Sequence, residues 1–495
     1  MYKVRIIQLA SIFGLALFIV SVCAFVSEAD AINDSVVVDG VTYSLKESGE
    51  GDYAIVTAVN SDLTEVSIPS SITDSGKSFE VRSIDANAFQ DSSSDDKKNR
   101  NLLNLTIQAN NNFRLEPNQF SSCVSLTTVV LGTGIAEISD NAFVGCTNLE
   151  EVTLPSTIIS IGNSSFSGCT KLTTINQVNG LKIIGESAFK NCSGLTGFNF
   201  GSNLETISTD AFRGCTGLIE IELPNSVVTL GSSAFGGCTS LESISLGTNL
   251  GEIGSKAFVD TKITSLSIPA STTSLGLTNL RQDSPFPSTM VSLSIDNGNT
   301  KYACENNMVL DKETGVILYA FKITGEVTIS NNIGSQAFQG LGLTKLIISE
   351  GVTTIGDGSF SRNSNLTEVT LPSSVTSIGE AAFDSCTALN KLTLADGLTV
   401  IGGFSGCTGL TNVTLPNSIV EIKNQAFKGC TKLNTSLPTH LESIGNEAFR
   451  DCKALPCPTL PATLKEIGSY AFYSATKVKF KNLTLGADTE IKLGE

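Results

Sequence analysis

Three kinds of side chain in this sequence have types and spacings that could do chemistry: thirteen cysteines, a single histidine at 440, and carboxylates two apart at Glu220 and Glu222. Ten of the cysteines (Cys123, Cys146, Cys169, Cys192, Cys215, Cys238, Cys386, Cys407, Cys430 and Cys452) each lie three residues after a phenylalanine. If that spacing reflects stacked turns, neighbouring Cβ atoms run parallel at about 4.8 Å, slightly long for a disulfide. Where the series lapses, the same place holds Thr261, Leu341, Asn363 or Ala475, so a filler is required and a bonding partner is not. The expectation is a buried ladder of free thiols packed as small apolar groups, with some disulfides as the alternative. Cys304 and Cys457 fall outside the series and are candidates for reactivity.

Catalytic chemistry finds little else to use. With no second histidine, His440 cannot complete a His-dependent triad or a zinc cluster, and it takes the loop place that Thr157 holds in an ordinary unit. No H-E-x-x-H, C-x-x-C pair, Walker loop or G-x-S-x-G occurs, and no spacing fits a calcium loop. Glu220 and Glu222 have a spacing that glycoside chemistry could use, but adjacent outward places on a flat sheet offer no cleft. No catalytic, metal or cofactor residues are expected, and the chain reads as a non-enzyme. A net charge of −16 and a pI near 4.7 argue against nucleic acid and anionic lipid, which demand basic patches.

The element that would position these groups is a repeat. Phenylalanine stands at 120, 143, 166, 189, 212, 235 and 258, a period of 23, and resumes at 338, 360, 383, 404, 427, 449 and 472. An earlier copy at Phe89 is followed by a polar insertion, DSSSDDKKNRN. A fixed period of this length means a solenoid. Within one unit Leu149, Val152 and Leu154 spell a short strand, Pro155 ends it because it has no N–H for a ladder, and Ile158 and Ile161 form a second extended run. Gly162 turns the chain, and an irregular or short helical return carries Phe166 inward. One such unit cannot offset its own conformational entropy, so every turn needs neighbours. About seventeen turns at strand spacing would give a body on the order of 80 Å long.

At the N-terminus, Lys3 and Arg5 precede an apolar run from Ile6 to Val26 and then SEADA, where Ala29 and Ala31 make an A-x-A cleavage pattern. Residues 1–31 read as a secretory signal peptide, or as an uncleaved signal anchor. Cys23 is a poor lipidation site because bulky Val22 precedes it. The end, LGADTEIKLGE, shows no wall-sorting motif or prenylation box. The remaining divisions are a cap at 32–87, a first array at 88–260, degenerate repeats with an insertion at 261–335, and a second array at 336–495.

The unit C-x-x-L-x-x-V-x-L-P-x-S-V-x-x-I-G-x-x-A-F, written here as LESISLGTNLGEIGSKAF and LTEVTLPSSVTSIGEAAFDSC, resembles the BspA-like, or Treponema-type, leucine-rich repeat family. VVVDGVTYSLKE is similar to that family's N-terminal β-hairpin, and KYACENNMVLDKETGVILYAF to its inserted hairpin. The resemblance implies a leucine-rich repeat solenoid of short parallel β-strands at the cell surface or secreted. Several family members are adhesins for host or matrix proteins or for other cells. The inserted hairpin is expected to cap or bend the array, with a ligand-contacting role as the alternative, and its Tyr302, Tyr319 and Phe321 are expected to be packed.

Alternation along each strand points the third and fifth residues of L-x-x-V-x-L away from the core. That assigns an outward face to Glu151, Thr153, Glu220, Glu222, Ser243, Ser245, Glu368, Thr370, Lys391 and Asn412. The face is rich in hydroxyls and nearly free of aromatics, whereas protein hot spots favour Tyr, Trp and Arg. It therefore suits weak, distributed contacts with extracellular proteins, or hydrogen bonding to glycans. The alternative is a coat or scaffold whose copies associate with one another. A glycan on Asn412, one of eight N-x-S/T sequons, would cover this face.

Overall fold

The computed structural model describes residues 35–49, 51–89, 101–176, 179–277, 281–478 and 490–491. The signal-segment reading and Cys23 lie outside these residues. So do the sequons at Asn33 and Asn482.

One turn shows how the repeat becomes structure. In Glu151–Thr153 the middle Val152 is buried and Glu151 is exposed, as alternation requires. Leu149, Val152, Leu154, Ile158, Ile161 and Phe166 are each no more than 2% exposed. Ser160–Ile161 makes the second strand. Gly162 follows because a Cβ there would sit 2.6 Å from the carbonyl oxygen of Ile138 in the turn before. The return is neither helix nor strand. It carries two left-handed residues per turn, such as Ser164 (φ 52°) and Gly168 (φ 78°), and left-handed residues cannot propagate a right-handed helix. Of the two return geometries expected, the irregular one is observed; the 3₁₀ turn Arg281–Asp283 is the only helical element among the described residues.

Stacked turns form two parallel ladders in phase. On the first, Glu151 stands opposite Thr128 and Thr174; on the second, Ser160 stands opposite Glu137 and Ile183. Between them the phenylalanines from Phe120 to Phe235 form a column with ring centroids 5.2–5.4 Å apart and planes within 13°. A second column runs from Phe338 to Phe472 at 5.0–5.6 Å. These centroid distances exceed the strand spacing of about 4.8 Å, consistent with the offset stacking that aromatic quadrupoles favour.

The first ladder breaks once inside the first array. The turn through residues 195–200 has no strand there, and Phe198 and Phe200 instead pack edge-on against Phe189 and Phe212. The second ladder passes through without interruption.

Ser35–Val38 and Val41–Lys46 form the expected N-terminal hairpin, turned at Asp39 and Gly40, both with positive φ as a type I′ turn needs. The degenerate strands Ser265–Ile268 and Ser292–Ile295 pair in parallel. The inserted hairpin has one strand more than a hairpin: Tyr302–Glu305, Met308–Asp311 and Ile317–Ala320 make an antiparallel meander. Its last strand belongs to both arrays. Ile317 bridges to Ile333 and on to Ile355 of the second ladder, while Tyr319 packs into the core of the first array. Tyr302, Tyr319 and Phe321 are buried, as expected.

Candidate functional site

The thiol series is a hydrogen-bonded ladder. From Cys146 onward each Sγ donates to the carbonyl of the repeat phenylalanine in the preceding turn: Cys146 to Phe120 at 3.1 Å, Cys215 to Phe189 at 3.0 Å, Cys430 to Phe404 at 3.1 Å. Two of the replacements keep a donor. Asn363 donates to Phe338 and Phe360 at 2.8 Å each, and Thr261 donates to Phe258 at 2.9 Å. The place therefore favours a donor, which the filler reading missed; Leu341 and Ala475 fill it without one. All described cysteines are unbridged. Burial pushes the thiols of Cys169, Cys238, Cys386 and Cys452 up to about 12, so thiolate chemistry near neutral pH is closed to them. Burial also pushes the half-buried Cys304 up to about 11, which disfavours its thiolate near neutral pH; Cys457 is exposed.

His440 is exposed, and its Nδ1 lies 3.1 Å from the carbonyl oxygen of Asn417, a surface contact between turns. Among the described residues no group of His, Cys, Asp and Glu has the arrangement of a metal site. No helix among them is long and apolar enough to cross a membrane.

The outward face divides into two chemistries. Around the middle of the chain Glu220 pairs in register with Ser243 and Glu222 with Ser245. All four are exposed, and among the described residues none has a polar side-chain partner. Ser265 and Ser267, opposite Ser292 and Ser294, continue the strip, with Ser267 and Ser294 hydroxyls 2.7 Å apart. Glu151 is exposed in the same manner, and Thr153 is half-buried opposite Val130. In the second array the register runs Glu326, Lys345, Glu368, Lys391, with charges alternating turn by turn. Lys345 lies 3.2 Å from Glu326 and Lys391 lies 2.6 Å from Glu368. The Lys391 hydrogen bond holds the Glu368 carboxyl below its usual range. Thr370 is half-buried between Ile347 and Thr393, and Asn412 accepts a 2.9 Å hydrogen bond from Asn434. Thus Glu220, Glu222, Ser243 and Ser245 form one continuous open patch, while Glu368, Lys391 and Asn412 already have partners within the protein.

A fold of parallel short-strand ladders with a phenylalanine column defines a leucine-rich repeat type of solenoid. The sequence matches the family described as BspA type leucine rich repeat region over residues 82–219, 206–289, 331–435 and 402–491, and the chain belongs to that family. No curated protein matches it. Among solved structures it is similar to a leucine rich cell surface protein from Faecalibacterium prausnitzii, at 20% identity over 86% of this chain and 94% of that one, TM-score 0.42. A leucine-rich repeat protein from Bacteroides ovatus is 22% identical over 93% of this chain and 100% of that one, TM-score 0.45. The pneumococcal vaccine antigen PcpA is 19% identical over 91% and 89%, TM-score 0.38.

Proposed function

We propose that this chain is a secreted or cell-surface binding protein without catalysis, an adhesin whose strand face contacts extracellular proteins or glycans of a host or matrix. The open patch at Glu220, Glu222, Ser243 and Ser245 is the observation that carries the reading: carboxylates and hydroxyls on a rigid ladder whose hydrogen-bonding capacity no neighbour uses. Membership of a repeat family that resembles surface adhesins supports it, as does the apolar N-terminal run with its A-x-A pattern. Because the patch has no aromatic anchor, each contact is weak, and attachment depends on many copies or a long footprint.

The test is binding of purified protein to immobilised matrix components and to cells, wild type against Glu220→Lys with Glu222→Lys. The reading expects attachment to fall with the charge reversal. If wild type attaches to nothing foreign and instead self-associates at micromolar concentration, the coat reading replaces it.

A further inference from the structure

The phenylalanine column lapses between Phe258 and Phe338, and the backbone register shows what fills the gap. In regular turns the N–H of the repeat phenylalanine donates to the residue before the next one, as Phe235 does to Ala257 at 2.9 Å. Phe258 donates in the same way to Pro285, which makes Phe286 the next member, 28 residues on instead of 23. One turn further, the N–H that donates to Ala337 belongs to Ala320. An alanine thus holds the register place of a phenylalanine, and its neighbour Phe321 lies against Tyr319 instead, ring centroids 6.4 Å apart. The thiol ladder lapses over the same turns, where Thr261, Thr289, Ile323 and Leu341 follow Phe258, Phe286, Ala320 and Phe338 by three residues.

What remains is a cleft of about 500 Å³ between the two arrays, within the range of roughly 300–1,000 Å³ typical of small-ligand sites. Phe286, Met290, Tyr319 and Phe321 form its apolar floor. Its rim carries the amides of Gln282 and Gln339, the hydroxyl of Thr324, one carboxylate at Asp260 and one ammonium at Lys322.

We propose that this cleft binds a neutral carbohydrate, one or two sugar rings of a glycan. The rim bears one charge of each sign, which gives no net field to select a phosphate, a carboxylate or a cation. Amides and hydroxyls both donate and accept, matching sugar hydroxyls, and the largely buried floor of Phe286, Tyr319 and Phe321 leaves a narrow apolar strip against which sugar C–H groups can rest. The site is separate from the strand face, since it lies on the return side, next to the repeat-phenylalanine turns. It rests on the reading of the chain as a binding protein and adds a second, small-ligand specificity to it.

The experiment screens the purified full chain against an array of neutral and acidic oligosaccharides, then measures hits by calorimetry. Wild type is expected to bind a subset of neutral glycans. Thr324→Trp, an exposed position that plugs the mouth, should abolish binding. Gln339→Ala should weaken it about tenfold, the loss of one polar contact. Lys465→Ala, at an exposed ion pair with Glu442 outside both the cleft and the open patch, should leave glycan binding unchanged, and thermal midpoints near wild type verify the fold of each variant. Absence of neutral-glycan binding by wild type, selection of acidic glycans alone, or binding insensitive to both cleft variants would overturn the proposal. Attachment to protein matrix through the strand face would persist in each of those cases, so the failure of this site is distinguishable from failure of the adhesin reading.

Discussion

Glu220 and Glu368 occupy equivalent places on the strand ladders of the two arrays, yet their surroundings differ. Glu220 faces water with a serine opposite, whereas Glu368 stands between Lys345 and Lys391 and is hydrogen-bonded to the latter. The interiors of the two arrays are alike: the same phenylalanine column, the same thiol ladder, the same two left-handed residues per return. The period fixes what points inward, because every turn must match its neighbours. Outward places are free of that demand, and the two arrays have used the freedom differently. In the second array opposite charges satisfy one another; in the middle of the chain the face is left open.

If the interiors are equivalent, perturbations aimed inward should strike both arrays alike. The largest effect expected is alkaline unfolding. The buried thiols rise from a usual value of 9.0 to about 12, so the folded state holds their protons more tightly than the unfolded state does. That contribution is complete below about 9 and is lost as pH climbs from there toward about 12. Circular dichroism against pH should show both arrays melting in this window. A fold unchanged through pH 12 would mean the thiols are not buried as described. Next in size, Phe235→Ala and Phe427→Ala should each cost about 3–5 kcal/mol in chemical denaturation, because each removes a ring stacked on both sides. A wild-type midpoint for either would break the register.

A smaller effect separates donor from filler in the thiol ladder. Cys215→Ala should cost about 1–2 kcal/mol, the packing and the hydrogen bond to Phe189 together, and Cys215→Ser should cost less because it keeps a donor. Equal losses would reduce the place to a filler. The smallest effect is outward: Lys391→Ala should leave the thermal midpoint almost unmoved, since exposed ion pairs contribute little, while the Glu368 carboxyl returns toward its usual range by NMR titration.

The sequence announced the solenoid because one period governs the inward places from Phe120 to Phe258 and, nearly unchanged, from Phe338 to Phe472, and a phenylalanine recurring at that spacing is the mark of a repeat array. The outward places were equally legible as places: Glu220, Glu222, Ser243 and Ser245 face outward where alternation put them. Their partners were not legible, because the charge alternation of Glu326, Lys345, Glu368 and Lys391 emerges only when turns of 23, 23 and unequal length are laid in register. The junction was hidden for the same reason. Phe286 stands in SPF where its neighbours have an alanine before the phenylalanine, and Ala320 takes a phenylalanine's register one residue early. A motif scan passes over both, although the S-x-F spelling at 284–286 was a signal that could have been followed.

The proposed adhesin function requires that the open patch, and not the self-satisfied one, meets the partner. Two double variants test it side by side: Glu220→Lys with Glu222→Lys in the open patch, and Glu368→Lys with Lys391→Glu, which inverts the second array's pair while preserving its charge balance. Attachment to a responsive matrix component, measured as a binding isotherm for both proteins and wild type, should fall sharply for the first variant and stay at wild-type level for the second. Loss of attachment in the second variant with retention in the first would contradict the account.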